Sequence, residues 1–425
     1  MSDEKRSKLV TVLNFLFLGM IFSLGFMRPN LRIMGLAVQA TDALFPAAAL
    51  LLAIAFLTRR ISLRYDSQML IMGIYFSALA ASAIFSSNQQ FSLFKLTGEA
   101  YLIGLAVMTG VLIRSQAMVK RLVLSSIAAA SLVGIIGAVG VILFYADRNN
   151  PILPFILHHY GSLPPGNYPR IQSTFIYPSM LCNYLTVGVM FLFAANRLGW
   201  IRPPIFRVLL VIQIVAVFFT LTPGIAGFLI AILLWWGFSI EAEQKQFYRR
   251  VSFSMAGILA VLSVVVSAFT LRHIPSSPYS FDLFGTRIDP TQRLLAWQGA
   301  LETFFQYPLF GRGLGLGVAN VLFLAPSGQN QLLTDAHNIW LNIAGQAGIF
   351  GLASILVLSI SVTRRFMPVK IGEDSKSVLT LACGISFISI FFVQGLVGSF
   401  EDARHLWILI GMIGAISSLP PEREK

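Results

Sequence analysis

The hydrocarbon core of a bilayer, about 30 Å thick, is crossed by about 20 consecutive apolar residues in helical form. This chain offers such stretches repeatedly: 9–27, 42–58, 68–85, 99–113, 121–145, 177–195, 205–221, 224–240, 251–270, 338–363, 377–398 and 404–419. The span at 99–113 is short, and the pair flanking Pro223-Gly224 reads either as two spans or as one broken helix. With 56% hydrophobic and only 12% charged residues in 425, there is more apolar surface than one water-soluble core can hide. The expected fold is therefore all-α: a polytopic membrane protein with about 12 transmembrane helices, forming a single integral membrane domain over 1–425. Residues 1–8 are charged and lead into a first span followed by Arg28-Pro29-Asn30, not by a small-residue cleavage site. A retained helix is expected there, not a signal peptide.

The formal net charge of +13 would suggest nucleic acid or an acidic partner in a soluble protein. Here the basic residues orient the spans. With the N-terminus inside, 21 of the 31 Lys and Arg residues fall on inner segments and ten on outer ones, and every inner loop is basic. An even number of spans returns the C-terminus to the same side, and no nucleic acid is expected as a partner. All five histidines fall on the outer side, together with the two long loops, 147–176 and 271–337. Loops of that length and mixed composition are usually functional. Within the larger one, Asp289-Pro290-Thr291-Gln292 supplies an acidic N-cap, a proline at the first helical position and a glutamine three residues after the cap. Leu294, Trp297, Leu301 and Phe304 follow at helical spacing. An amphipathic helix is predicted over 290–306, lying at the outer interface with that stripe toward lipid or the bundle.

Three outer features carry possible chemistry. Asp335-Ala336-His337-Asn338 stands directly before the apolar run 339–363, which puts His337 at the N-terminal end of a membrane helix. The helix dipole there disfavours imidazolium and keeps a neutral ring available as a general base, although both residues also suit plain helix capping. Tyr307-Pro308-Leu309-Phe310-Gly311-Arg312-Gly313-Leu314-Gly315-Leu316-Gly317 has four glycines at alternate positions, freeing the backbone to approach a ligand or a neighbouring helix. It is not a phosphate loop, since no Gly-Lys-Ser/Thr follows. Arg170, Arg287, Arg293 and Arg312 stand outside against the charge rule, and guanidinium groups clamp phosphate bidentately. Headgroup contacts are the competing explanation for each. Cys182 and Cys383 lie in apolar runs, no Cys/His spacing resembles a metal site, and no cofactor is expected.

Taken in order, these segments resemble the O-antigen ligase and polymerase superfamily of bacterial inner-membrane glycosyltransferases. The resemblance is carried by Arg170 to Phe175 before a span, by Arg293 and Trp297 leading into the glycine run through Gly313 and Gly315, and by His337-Asn338 with Leu341, Gly348, Gly351 and Leu352. It covers roughly 165–360. It implies a GT-C-like membrane glycosyltransferase in the inner membrane, both termini cytoplasmic and the active site periplasmic. It further implies metal-independent, inverting transfer of a polysaccharide from undecaprenyl pyrophosphate to lipid A–core oligosaccharide. His337 would be the catalytic base. Arg170, Arg293 and Arg312 would hold the pyrophosphate, with Arg287 a weaker candidate, and Asp335, Asn338, Trp297, Gly313 and Gly315 would support the site. One departure stands out: many members carry a Ser-Arg pair near the outer end of the helix that begins here around Thr222-Pro223-Gly224, and no arginine stands there.

An O-antigen polymerase or a protein O-oligosaccharyltransferase would use the same donor. A lipid or solute transporter belongs to another class, and would be expected to carry ionisable residues at mid-bilayer depth and paired repeats. Only the Pro223-Gly224 break, Gln213 and Gln394 hint at that, and no charge is required at the membrane centre.

Overall fold

The computed structural model describes residues 3–28, 31–33, 36–62, 66–158, 169–239, 246–272, 281–283, 286–288, 291–324, 330–367 and 374–419. It is an all-α polytopic membrane fold. Helices α1 to α5 are Asp3–Ser23, Ala40–Leu57, Ser67–Ile84, Gln89–Leu112 and Gln116–Ala146. A single turn, α6 (Leu153–Ile156), precedes α7 (Pro178–Arg197), α8 (Pro203–Phe219), α9 (Ile225–Ser239) and α10 (Gln246–Arg272). The series ends with α11 (Thr291–Gln306), α12 (Ile339–Phe366), α13 (Ser375–Phe387) and α14 (Arg404–Ser417). Among the described residues, seven helices are long and apolar enough to cross a membrane, and four apolar helices are shorter. The strands are short antiparallel pairs in the connections: β1–β2 (Leu31–Ile33, Leu36–Val38), β3–β4 (Leu157–His158, Arg170–Ile171), β5–β6 (Phe281–Leu283, Thr286–Ile288) and β7–β8 (Val321–Leu324, Asn330–Leu333).

Each apolar stretch of the sequence coincides with a helix, with three informative differences in extent. The span expected at 99–113 belongs to a helix that starts at Gln89, because the Asn88 side chain accepts from the Phe91 N–H at 3.2 Å and caps it. Its first turns carry Gln89, Gln90, Ser92, Lys95 and Thr97 among apolar residues, so hydropathy misses them. At Pro223 the chain makes two helices: Leu221 turns to φ 47° after α8, and α9 starts afresh at Ile225. The span expected at 377–398 is α13 continued by a π-helical segment, Ile388–Val393, and a 3₁₀ turn, Gln394–Leu396. The widened turns bring Gln394 into the interior, where it donates to Thr186 at 2.9 Å and accepts from Asn183 at 2.9 Å.

Helix α7 and the α13 stretch are buried almost throughout, whereas α2 leaves most of its apolar surface facing outward, as a lipid-exposed helix does. Polar contacts define the two ends of the bundle. At one, Arg365 pairs with Asp66, the N-cap of α3, and reaches Ser417 at 3.2 Å. Burial pushes the Asp66 carboxyl up, but the Arg365 guanidinium outweighs it and the pKa is lowered. At the other end, Arg404 at the start of α14 forks onto both carboxylate oxygens of Asp42 at 2.8 and 2.9 Å.

The amphipathic helix of the large loop runs Thr291–Gln306; its proposed Asp289-Pro290 start lies outside the described residues. Its buried line is Leu294, Trp297, Ala300 and Thr303, while Leu301 and Phe304 are half-buried. That line meets Val318 and Ala336 in a small core of its own, so the stripe faces protein, one helical position away from the face first expected. Cys182 and Cys383 are buried and unbonded to each other.

Candidate functional site

Asn338 begins α12 with extended backbone, φ −154°, and its Oδ1 accepts from the Trp340 and Leu341 N–H groups at 3.0 and 3.2 Å. Its Nδ2 donates to the Leu396 carbonyl at 3.2 Å, tying the helix start to the end of the α13 stretch. Immediately before it, His337 adopts φ 49°, and its N–H donates to Asp335 Oδ1. A non-glycine residue in the left-handed region persists only where its surroundings hold it there. Asp335 Oδ1 also accepts from Ser399 and lies 3.5 Å from His337 Nδ1. The carboxylate thus holds the His337 backbone by a hydrogen bond and stands within ion-pair distance of its ring. With 43% of its side chain exposed, the ring is open to a substrate. Its pKa is lowered by burial first; Asp335 opposes that shift and the Arg293 guanidinium adds to it. The neutral ring expected from the helix dipole is thus obtained chiefly by desolvation.

The Arg293 guanidinium on α11 acts electrostatically on His337, and Trp297 one turn later shares a small core with Ala336. Arg312 serves the glycine run: its N–H donates to the Gly345 carbonyl at 2.9 Å and its Nη1 to the Gly317 carbonyl at 2.7 Å. Arg170 lies on β4, opposite His158, and its Nε donates to the Thr220 carbonyl at 2.8 Å. It thus sits at the C-terminal end of α8. Arg287 is on β6 opposite Asp282, and its side chain lies outside the described residues.

The glycine run packs on helices. A Cβ at Gly311 would stand 2.2 Å from Gln346 backbone atoms, one at Gly313 2.0 Å from Ser86 Oγ, and one at Gly315 2.8 Å from the Lys95 side chain. Gly313 and Gly315 therefore let the segment lie between α12 and the α3–α4 corner. Ser92 Oγ donates to the Leu314 carbonyl at 2.9 Å, and the Gly315 N–H donates to Gln346 Oε1 at 2.8 Å.

Between these elements opens a cavity of about 330 Å³, lined by Tyr75, Phe91, Lys95, Glu99, Gly315, Asp335, Asn342, Gln346, Ser399, Glu401 and Asp402 among others. Lys95 pairs with Asp402 and lies 3.7 Å from Glu99. Asp402 is held below the ordinary carboxylate range: burial pushes it up, and the Lys95 ammonium outweighs that. Glu401 is pushed up to about 8 by burial, then by Asp402 and Asp335, so it is largely protonated at neutral pH. Its Oε1 accepts from Asn342, and its Oε2 is buried without a hydrogen-bond partner.

This acidic wall is not foreseen from the sequence, where no charge is required at the membrane centre. Lys95 and Glu99 fell outside, or at the edge of, a span read ten residues too short at its start. Two signals were available. Asn338, Asn342 and Gln346 recur every four residues on one face of α12, and Glu401-Asp402 is an acidic pair directly before a span. His159 and His273 lie outside the described residues. His405 is tied to Asn183 through Nε2 at 2.6 Å, apart from the cavity lining.

The helical bundle is that of a polytopic membrane protein, with His337 half-open at a helix start and a polar cavity close by. Residues 208–356 match the family model described as O-antigen ligase, and the match supports the O-antigen ligase superfamily, whose members are glycosyltransferase-like ligases or polymerases. The matched segment includes Arg287, Arg293, Trp297, Arg312, Gly313, Gly315, Asp335, His337 and Asn338, and leaves Arg170 outside. No curated protein matches the chain.

Proposed function

We propose that the protein is an O-antigen ligase of the bacterial inner membrane, transferring a polysaccharide from undecaprenyl pyrophosphate to lipid A–core oligosaccharide at the periplasmic face. The observation that carries this reading is His337, tied to Asp335 at the start of α12, half-exposed and within electrostatic reach of Arg293. Nε2 accepts the proton of an acceptor hydroxyl as its oxygen forms a bond to the donor's anomeric carbon. The bond from that carbon to the pyrophosphate oxygen breaks, and the pyrophosphate departs with the electron pair. Attack opposite the leaving group inverts the anomeric centre. Arg293, Arg170 and Arg312 supply positive charge for the diphosphate, so the transfer proceeds without a divalent metal. The basic inner loops support both termini lying in the cytoplasm and His337 in the periplasm.

The reading is tested by transfer from purified undecaprenyl-pyrophosphate glycan to lipid A–core, with and without chelator: product is expected in both. In a deletion strain, lipopolysaccharide should lose all attached polymer. A core bearing one repeat would identify a polymerase instead, and solute flux without glycan transfer a transporter.

Two further outcomes follow. Arg293→Ala and Arg170→Ala should each raise the donor KM about tenfold while the acceptor KM stays put, since each removes a charge-assisted hydrogen bond. Equal rises in both constants would contradict a pyrophosphate role. Asp335→Asn removes the group that raises the His337 pKa. Because the base works only when neutral, activity is lost as pH falls through that pKa. The acidic limb of kcat/KM should therefore move to lower pH in the variant, with a lower plateau from the misoriented ring. A limb that stays in place would separate Asp335 from the base.

A further inference from the structure

The cavity beside His337 has a chemistry opposite to that of the arginines. Carboxyl groups from Glu99, Asp335, Glu401 and Asp402 face amides from Asn342 and Gln346, with the rings of Tyr75 and Phe91 on its apolar side. Lys95, the cation among its described lining residues, is already paired with Asp402. With Lys95 taken up by Asp402, such a wall offers a diphosphate no free counter-charge. Carboxyl and amide groups set side by side instead offer donors and acceptors to neighbouring hydroxyls, while aromatic rings suit the apolar face of a sugar ring. Two observations besides the acids point to an occupant. The space is enclosed on several sides by three helices and the glycine run, and the buried Oε2 of Glu401 lacks a partner that a hydroxyl would provide. Asp335 is part of the cavity wall and lies 3.5 Å from His337 Nδ1, so a ring seated there would stand close to the base.

We propose that this cavity is the acceptor subsite, seating the terminal sugar ring of the acceptor and selecting a ring that is neutral or bears an amino group over one bearing phosphate or carboxylate. The inference rests on the ligase reading above and adds to it a division of the two substrates by charge: the donor's diphosphate goes to guanidinium groups and the acceptor's hydroxyls go to carboxyls and amides. Glu401 and Asn342 act here as binding residues, joined to each other by a hydrogen bond from Asn342 Nδ2.

The test uses the full-length protein in detergent and varies the two substrates separately. Glu401→Ala and Asn342→Ala should raise the acceptor KM about tenfold, leaving the donor KM unchanged. Glu401→Gln should recover most of the loss, since an amide keeps one donor and one acceptor in the place of a protonated carboxyl. With the unmodified protein, methyl glucoside and glucosamine should compete with the acceptor, whereas glucuronate and glucose 6-phosphate should not. An unchanged acceptor KM in folded variants, a rise confined to the donor KM, or equal competition by the anionic sugars would overturn the proposal. If the chain transfers no glycan to lipid A–core, the ligase reading fails by itself. Saturation-transfer NMR with methyl glucoside then decides the cavity separately: a signal that Glu401→Ala abolishes supports a sugar site, and no signal with the unmodified protein overturns it.

Discussion

His337→Ala is expected to lower glycan transfer by about 10²–10⁴-fold, the range that a positioned general base contributes. The ring is 43% exposed, and its polar tie is to Asp335, so removing it leaves the helix start intact: Asn338 caps α12 through its own side chain. The variant should therefore insert, run as a single species in detergent and retain the donor KM of the parent. Two measurements check this, the lipopolysaccharide ladder of a deletion strain carrying the variant and steady-state transfer with purified substrates. Wild-type smooth lipopolysaccharide from cells expressing His337→Ala would end the assignment of His337 as base, however well the fold survives.

The second large effect is structural. Gly348 interrupts α12 with φ 63° and ψ −158°, a conformation open essentially to glycine alone. At this kink the helix receives the incoming segment before the glycine run: the Ile349 N–H donates to the Pro308 carbonyl at 2.8 Å, and the Leu309 carbonyl stands 2.3 Å from where a Gly348 Cβ would be. Gly348→Ala must therefore change the backbone and expel that segment together, at a cost of about 3 kcal/mol or more. A large drop in melting temperature in detergent is expected, with loss of transfer because Gly315 and Gln346 help wall the cavity. Gly73→Ala on α3 is the matched control. Nothing lies within 4 Å of its added Cβ, and alanine is the better helix former, so its melting temperature should hold or rise slightly. If the two variants melt alike, the docking of residues 307–317 on α12 is not what the kink secures.

Much of the protein could be read without coordinates because its governing signals are local. Apolar length in helical register is a one-dimensional property, so the spans, the helix after Asp289 and the position of His337 just before α12 all followed from neighbouring residues. The family motifs are equally local, and the matched segment 208–356 contains most of the residues they single out. Where the local signal was mixed, the reading slipped. Polar residues in the first turns of α4 shortened the span, and Leu301 and Phe304 drew the amphipathic face one position too far round.

The sequence by itself determined a bundle of membrane helices and a histidine at a helix start with arginines in the segments around it. Tertiary structure alone decided which of those groups meet. Asp335 reaches His337 through a left-handed turn, and Arg170 takes the end of α8. Lys95 and Glu99 on α4 meet Glu401 and Asp402, which stand far along the chain just before α14, to wall one cavity. The physical reason is range. Helix formation and membrane insertion are set within about 20 residues, whereas a polar cavity is made by side chains whose shared burial exists only once the helices have packed.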